Sequence, residues 1–154
     1  MKKTSLFIFL AIASLAFIFT ACPYSSTVPL SGATESIDPA IYGKWVKVDE
    51  YNDYPKYYVF SKIDGKKLRI EQYEYNATDS LYTISGTYAA HFTTIGDVRF
   101  VNMLQDGTYY FYRLEFTNPE EFALYEITDN IDEVFDKSAE LYSFFNANKG
   151  LSFF

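Results

Sequence analysis

The stretch VRFVNMLQDGTYYFYRLEF, residues 98–116, contains two runs of aromatic and β-branched residues separated by Asp106-Gly107. Residues of these types favour β-strands, and an Asp-Gly pair supplies the positive φ angles that a tight hairpin turn needs. The stretch therefore predicts two antiparallel strands, at residues 98–105 and 108–116.

Similar runs continue the pattern on both sides of this hairpin. Asp64-Gly65 predicts a second tight turn, and no helical pattern of about 10 to 15 residues separates the runs, which disfavours a parallel sheet. We therefore predict a mainly all-β fold, a small antiparallel meander barrel of about seven strands. The five further strands are predicted at residues 43–50, 56–63, 67–75, 81–92 and 121–128.

One short α-helix is predicted near the C-terminus. Ser138 is a candidate N-cap, and Leu141, Phe144 and Phe145 recur at helical spacing before Gly150. We expect the apolar stripe of this helix to close one mouth of the barrel or to cover an open edge of the sheet.

Tyrosine is unusually abundant, with 15 copies. Because side chains alternate along a strand, Tyr110 and Tyr112 are predicted on one face of their strand, and Tyr109 on the other. Tyrosine combines an apolar ring with a polar tip, which suits protein interfaces and stacking on sugars; simple covering of apolar neighbours is the alternative. The candidate ligand-binding or interface aromatics are Tyr57, Tyr58, Tyr73, Tyr75, Tyr109, Tyr110 and Tyr112.

The N-terminal segment has the pattern of an export signal. Lys2 and Lys3 precede an apolar run at residues 6–19, which is shorter than the roughly 20 residues that a transmembrane helix needs. We therefore interpret residues 1–21 as a signal peptide.

Phe19-Thr20-Ala21-Cys22 resembles the lipobox of bacterial lipoproteins. The resemblance implies cleavage before Cys22, acylation of that cysteine, and anchoring in a cell-envelope membrane, the outer membrane if the host has one. Whether the domain would face the periplasm or the outside stays open. A free thiol after ordinary cleavage and a retained helix are the alternatives. Cys22 is the only cysteine of the chain, so no disulfide can form within it.

The residues after Cys22 are rich in serine, threonine and proline. This composition predicts a flexible tether at residues 22–38 that holds a β-barrel domain, residues 39–154 with the C-terminal helix, off the membrane. In the alternative, Val28, Pro29 and Leu30 lie in a groove as an edge extension of the domain.

Gly43-Lys44-Trp45 resembles the G-x-W motif of lipocalins and of the lipocalin-like domains of bacterial lipoproteins. The resemblance implies that Trp45 plugs one end of an up-and-down barrel whose other end can admit a small apolar ligand. Arg113 is the candidate for the basic residue that packs on this tryptophan in the family. An ordinary core tryptophan of a β domain is the alternative.

The net charge and the scarcity of histidine and cysteine argue against several functions. Removal of residues 1–21, which contain two lysines and no acidic residue, changes the formal net charge from -7 to -9, which argues against a nucleic-acid partner. His91 is the only histidine and the anchor would occupy Cys22, so a Cys/His dyad and a Cys/His metal site are not expected. We predict no enzyme, no cofactor and no metal site.

Two function classes stay open for a protein of this kind. The favoured one is a noncatalytic interaction module of the envelope that binds a protein or a glycan, and the alternative is a lipocalin-like carrier or sensor of a small apolar ligand. A carrier requires an interior cavity of at least about 300 Å³. The many large aromatics instead suggest a filled barrel, with Trp45, Phe60, Phe100, Tyr112 and Phe116 as the filling side chains.

Overall fold

The computed structural model describes residues 23–48, 52–128, 131–151 and 154. Within these residues the chain is mainly antiparallel β, as predicted, and residues 1–22, with the proposed signal peptide and Cys22, lie outside this part. The strands of the described residues are β1 (Ser25–Ser26), β2 (Gly43–Val46), β3 (Tyr57–Lys62), β4 (Leu68–Asn76), β5 (Leu81–Ile95), β6 (Val98–Gln105), β7 (Thr108–Asn118) and β8 (Glu121–Glu126), and their α-helix is α1 (Ser138–Asn148). No helix of the described residues is long and apolar enough to cross a bilayer.

Strands β2 to β8 form a meander in which each strand pairs with the next in antiparallel fashion. The short strand β1 pairs with β7, which also pairs with β8. Within the described residues no backbone ladder joins β2 to β8, but the rings of Trp45 and Phe122 pack edge to face with centroids 4.4 Å apart. The sheet is therefore barrel-like without being closed.

The two predicted Asp-Gly turns have different geometries. Asp106 and Gly107 adopt φ angles of 49° and 83°, as the hairpin between β6 and β7 requires. Asp64 and Gly65 do not adopt positive φ angles, so the prediction of a tight turn is wrong there. A wider loop forms instead, in which the Asp64 carboxylate accepts the backbone N–H groups of Lys66 and Lys67 at 2.7 and 2.8 Å.

The sheet buries apolar side chains on both of its faces. Its inner face holds one cluster: Ile37, Ile41, Phe60, Leu68, Ile70, Ala90, Phe92, Val101, Met103 and Leu114. A second cluster lies on the outer face of β5, β6 and β7, beneath α1: Tyr24, Leu30, Ile95, Val98, Phe100, Phe111, Ile127, Ile131, Leu141, Phe145 and Phe154.

Helix α1 covers neither a barrel mouth nor a sheet edge, so both expectations for its position are wrong. Its Leu141 and Phe145 are buried against the outer face of the sheet, because the outward side chains beneath it, among them Ile95, Phe100 and Phe111, are apolar. The predicted cap is also corrected: Ser138 is the first helical residue, and the N-cap is Lys137, which makes no side-chain capping bond.

Residues 23–38, named here the N-terminal strap, pack on the domain. Pro23 forms a β-bridge with Thr128, β1 pairs with β7, and Leu30 is 1% exposed in the outer cluster. The prediction of a flexible tether is therefore wrong for these residues, and the alternative of an edge extension describes them.

Polar side chains of β5 and β6 hold the middle of the strap. The Leu30 N–H donates to Asn102 Oδ1 at 2.8 Å, and the Ser31 hydroxyl bonds the Thr93 hydroxyl at 2.7 Å. His91 Nε2 lies 2.7 Å from the Ser31 carbonyl oxygen. The first and third of these bonds satisfy strap backbone groups that packing removes from water.

Burial beneath the strap lowers the pKa of His91 from its ordinary value of 6.5, although the bond to Ser31 opposes the shift. The unfolded chain therefore takes up a proton at higher pH than the folded chain. We expect the contribution of His91 to the free energy of unfolding to be independent of pH above pH 6.5. Below that pH we expect it to decrease, by at most about 1.4 kcal/mol per pH unit. Urea unfolding at a series of pH values would measure this, and His91→Gln is expected to remove this part of the pH dependence. Equal pH dependence in both chains would contradict it.

Candidate functional site

A partly open cavity of about 570 Å³ lies against the inner face of the sheet. This volume is within the roughly 300–1,000 Å³ range of small-molecule sites. Both edge strands contribute to the lining, so the cavity extends along the seam where β2 and β8 are not paired. Its lining residues are Trp45, Val46, Lys47, Val48, Tyr58, Phe60, Ile70, Gln72, Tyr88, Met103, Tyr112, Glu120, Glu121, Phe122, Leu124 and Glu126.

Trp45 forms the wall of the cavity at the seam. Gly43, two residues earlier, has a φ angle of 132°, a conformation that glycine adopts far more readily than other residues. The Trp45 indole N–H donates to the Ile41 carbonyl at 2.7 Å, and its ring packs against Phe122 of β8. The tryptophan therefore bridges the two unpaired edges beside the cavity.

Three tyrosines add hydroxyl groups to the cavity wall: Tyr58, Tyr88 and Tyr112. Burial raises the pKa of all three, and Glu126 contributes further to the raised pKa of Tyr112. The Tyr112 hydroxyl donates to Glu126 Oε1 at 3.2 Å. All three hydroxyls are therefore protonated at neutral pH and are available as neutral hydrogen-bonding groups.

A glycine gives the Tyr88 side chain its place in the wall. A Cβ atom built on Gly86 would lie 2.6 Å from the Tyr88 hydroxyl oxygen. Residues two apart on a strand share a face, so the ring of Tyr88 lies back over Gly86. A larger residue at position 86 would displace this ring.

The charged groups of the lining are mostly acidic. The lining contains Glu120, Glu121 and Glu126 together with one lysine, Lys47. Nearby, the Lys56 ammonium group is paired with Glu74 at 2.6 Å, and that pairing lowers the pKa of the carboxyl. The lining therefore combines aromatic surface, neutral hydroxyls and an excess of negative charge.

The expectation of a filled barrel is wrong. Trp45, Phe60 and Tyr112 line the cavity without filling it. Phe100 belongs to the outer cluster beneath α1, and Phe116, near the end of β7, is 46% exposed. Two of the five aromatics expected to fill the interior therefore lie elsewhere.

Three of the predicted tyrosines belong to a patch on the outer face of β3, β4 and β5. The rings of Tyr57 and Tyr73 are stacked with centroids 4.6 Å apart, and those of Tyr54 and Tyr75 are stacked at 3.9 Å. Tyr82 contacts both Tyr57 and Tyr75. We name these five residues the tyrosine patch. It shares no residue with the cavity lining.

The remaining predicted residues lie outside both features. Tyr109 packs against the outer cluster, and Tyr110 pairs with Ser25 of the strap. Arg113 forms an ion pair with Glu115 at 2.5 Å on the outer face of β7. It therefore does not pack on Trp45, which lies on the inner face, and that expectation is wrong.

Sequence reasoning missed several cavity residues, among them Tyr88, Met103, Leu124 and Glu126. The Asp106-Gly107 turn contained a usable signal, because a two-residue hairpin fixes which residues face each other. The register places Met103 opposite Tyr110, on the same face as Tyr112. The same alternation carried across the sheet would have identified the inward set.

His91 lies beneath the strap on the outer face and is not part of the cavity lining. Within the described residues, no three His, Cys, Asp or Glu side chains come together to form a potential metal site. Comparisons with protein-family models, with curated proteins and with solved structures found no match. Function is therefore inferred from the cavity and from the sequence.

Proposed function

We propose that this protein is a lipid-anchored lipoprotein of the cell envelope that carries or senses a small, largely apolar ligand. The observation that carries the proposal is the cavity of about 570 Å³ on the inner face of the sheet. Apolar side chains of this kind, with a few polar groups among them, are typical of ligand sites. The G-x-W resemblance at Gly43 to Trp45 supports the same function.

The cavity supports the function of a carrier more strongly than that of an interaction module. Concave sites bury most of the surface of a small ligand, whereas a protein partner needs a larger contact area. Trp45, Phe60, Ile70 and Phe122 supply the apolar wall. We therefore expect the folded protein to bind a neutral apolar molecule in this cavity.

The docked strap changes how the anchor would hold the domain. The Tyr24 N–H donates to the Ile127 carbonyl at 2.8 Å, so the fold begins within two residues of Cys22. An acyl chain on Cys22 would therefore hold the domain directly at the membrane surface, with no flexible spacer between them.

The anchor predicts a defined covalent product in the native host. We expect the membrane-associated protein to begin at Cys22, with a mass increased by a diacylglyceryl group, with or without an N-acyl chain. Cys22→Ser is expected to abolish this species, because the lipid is attached through sulfur. Intact mass spectrometry of both chains measures this. An unmodified thiol, or a chain that retains residues 1–21, would contradict the anchor.

The cavity predicts saturable binding of a neutral apolar dye such as N-phenylnaphthylamine. Trp45 is the only tryptophan of the chain, so energy transfer from Trp45 to the dye reports binding, and substitutions in the cavity wall locate it. We expect Leu124→Lys to weaken binding by at least about tenfold, because it introduces a charge into the apolar wall. The proposed mature chain begins at residue 22, so this chain with Cys22→Ser is used for the measurement.

Tyr125→Lys is the matched control for Leu124→Lys. Tyr125 is the next residue of β8 and lies on the outer face, 51% exposed. Thermal unfolding of both variants would establish that they are folded. Equal weakening of dye binding in the two variants would place the dye outside the cavity and contradict the proposal.

An envelope interaction module for a protein or a glycan is the second candidate. The tyrosine patch favours it, because stacked, partly exposed tyrosine rings suit protein contacts and the faces of sugars. Loss of function in the host with Tyr82→Ser, but not with Leu124→Lys, would favour this candidate over the carrier.

A further inference from the structure

We infer that the cavity takes an amphiphile with an apolar tail and a cationic head group, such as an alkylamine or a quaternary ammonium compound. The inference rests on the proposed function and adds the chemical class of the ligand. It is carried by the arrangement of apolar, aromatic and acidic groups around one cavity.

The tail is assigned to the apolar wall. Phe60, Ile70 and Met103 are buried on the inner face and also line the cavity. Leu124 and Phe122 of β8 complete this wall from the seam. Burying a hydrocarbon chain against these groups contributes about 0.8 kcal/mol per CH₂, without selecting a head group.

The head group is assigned to the part of the wall formed by Tyr112 and Glu126. These residues are direct partners across β7 and β8, and the hydroxyl of one donates to the carboxylate of the other at 3.2 Å. Tyr58 and Tyr88 lie close enough to affect the ionisation of Tyr112. Aromatic rings beside a carboxylate are the groups that bind ammonium ions in proteins.

The sign of the charge follows from the ionised groups of the lining. Three carboxylates, those of Glu120, Glu121 and Glu126, lie around the cavity with one lysine, Lys47. The nearby Lys56 is already paired with Glu74. The cavity therefore attracts a cation and repels an anion, and the net charge of -7 for the chain adds to this preference.

A cation–π contact of the kind that we assign to the ligand is present between two side chains on the outer face of the same sheet. The Lys44 ammonium nitrogen lies over the ring of Tyr57, 3.8 Å from the ring centroid. An ammonium group on a cavity tyrosine would make the same cation–π contact, and partial burial there would strengthen it relative to a solvent-exposed pair.

The test compares three ligands whose straight alkyl tails differ by at most one carbon: dodecyltrimethylammonium, dodecyl maltoside and dodecanoate, each below its critical micelle concentration. Trp45 fluorescence of the chain from residue 22 with Cys22→Ser reports binding. We expect the cationic ligand to bind at least about tenfold more tightly than the anionic one, with the neutral ligand between them.

Glu126→Gln is expected to reduce the preference for the cationic ligand by about threefold or more, because it removes the carboxylate nearest to Tyr112. Glu115→Gln is the matched control, since Glu115 lies on the outer face of β7 and pairs with Arg113. We expect it to leave the preference unchanged.

The outcomes separate this inference from the proposed function. Equal binding of the three ligands, or tighter binding of dodecanoate, would overturn the cationic head group and leave the apolar carrier intact. An equal effect of Glu126→Gln and Glu115→Gln would overturn the assignment of the head group to Glu126. Failure of all three ligands to bind would overturn this inference, and failure of the neutral dye to bind as well would overturn the carrier function itself.

Discussion

Replacement of Phe145 by alanine is expected to lower the free energy of unfolding by about 3–5 kcal/mol. Phe145 is fully buried, and its ring contacts those of Tyr24, Phe100, Phe111 and Phe154. Removing the ring would leave a cavity between α1, the strap and the sheet, three parts of the structure that cannot all move to fill it. Urea unfolding of the two chains would measure the difference.

Phe116→Ala is the matched control for this prediction. Phe116 is 46% exposed near the end of β7. Its replacement is expected to lower the free energy of unfolding by less than about 1.5 kcal/mol, because folding removes less apolar surface from water at this position. If the two substitutions cost the same free energy, the outer cluster beneath α1 would not be the tightly packed core described here.

Replacement of Asn102 by alanine is expected to lower the free energy of unfolding by about 3 kcal/mol. Asn102 is fully buried and accepts the Leu30 N–H, while its amide nitrogen donates to Thr93 Oγ1 at 2.9 Å. Without the side chain, the Leu30 N–H stays buried without its acceptor, at a cost of about 1–3 kcal/mol, and a small cavity adds to this. The loss is therefore expected to appear first as release of the strap.

Limited proteolysis within residues 23–38, together with urea unfolding, measures this release. Gln105→Ala, near the end of the same strand and only partly buried, is the control and is expected to leave the strap protected. Cleavage of the strap at the same rate in the unsubstituted chain and in Asn102→Ala would contradict its attachment through Asn102.

Most of the sheet could be predicted because its signals are local. The strand predicted at residues 98–105 matches β6, and the Asp106-Gly107 turn has the φ angles that its sequence requires. Alternation along β7 also placed Tyr110 and Tyr112 on one face correctly. Each of these features depends on residues that are neighbours in the chain.

The strap could not be predicted because its partners are distant in sequence and are partly polar. Residues 23–38 contain few apolar groups, so their composition gives no sign of burial. Hydrogen bonds from Asn102, Thr93 and His91 nevertheless allow this segment to be buried. Asn102 is 72 residues away from Leu30. No local pattern in either segment identifies the other.

The cavity also depends on geometry that a single strand does not encode. The register of β4 on β5 shifts between Gln72 and Tyr73, and a bulge of this kind bends the sheet. How far β2 and β8 stay apart decides whether Trp45 and Tyr112 fill the interior or only line it. The number of aromatic residues alone therefore gave the wrong expectation.

The most direct test of the central claim is the methyl resonance of Met103 during titration with the neutral dye. Apart from Met1, Met103 is the only methionine of the chain, and its side chain lies inside the sheet on the cavity wall. An isotope-labelled methyl group at this position gives one assignable signal in the chain from residue 22. We predict a ring-current shift of this signal that saturates at one equivalent of dye and is lost with Leu124→Lys. An unmoved resonance under conditions in which the dye binds would place the ligand elsewhere and contradict the carrier function.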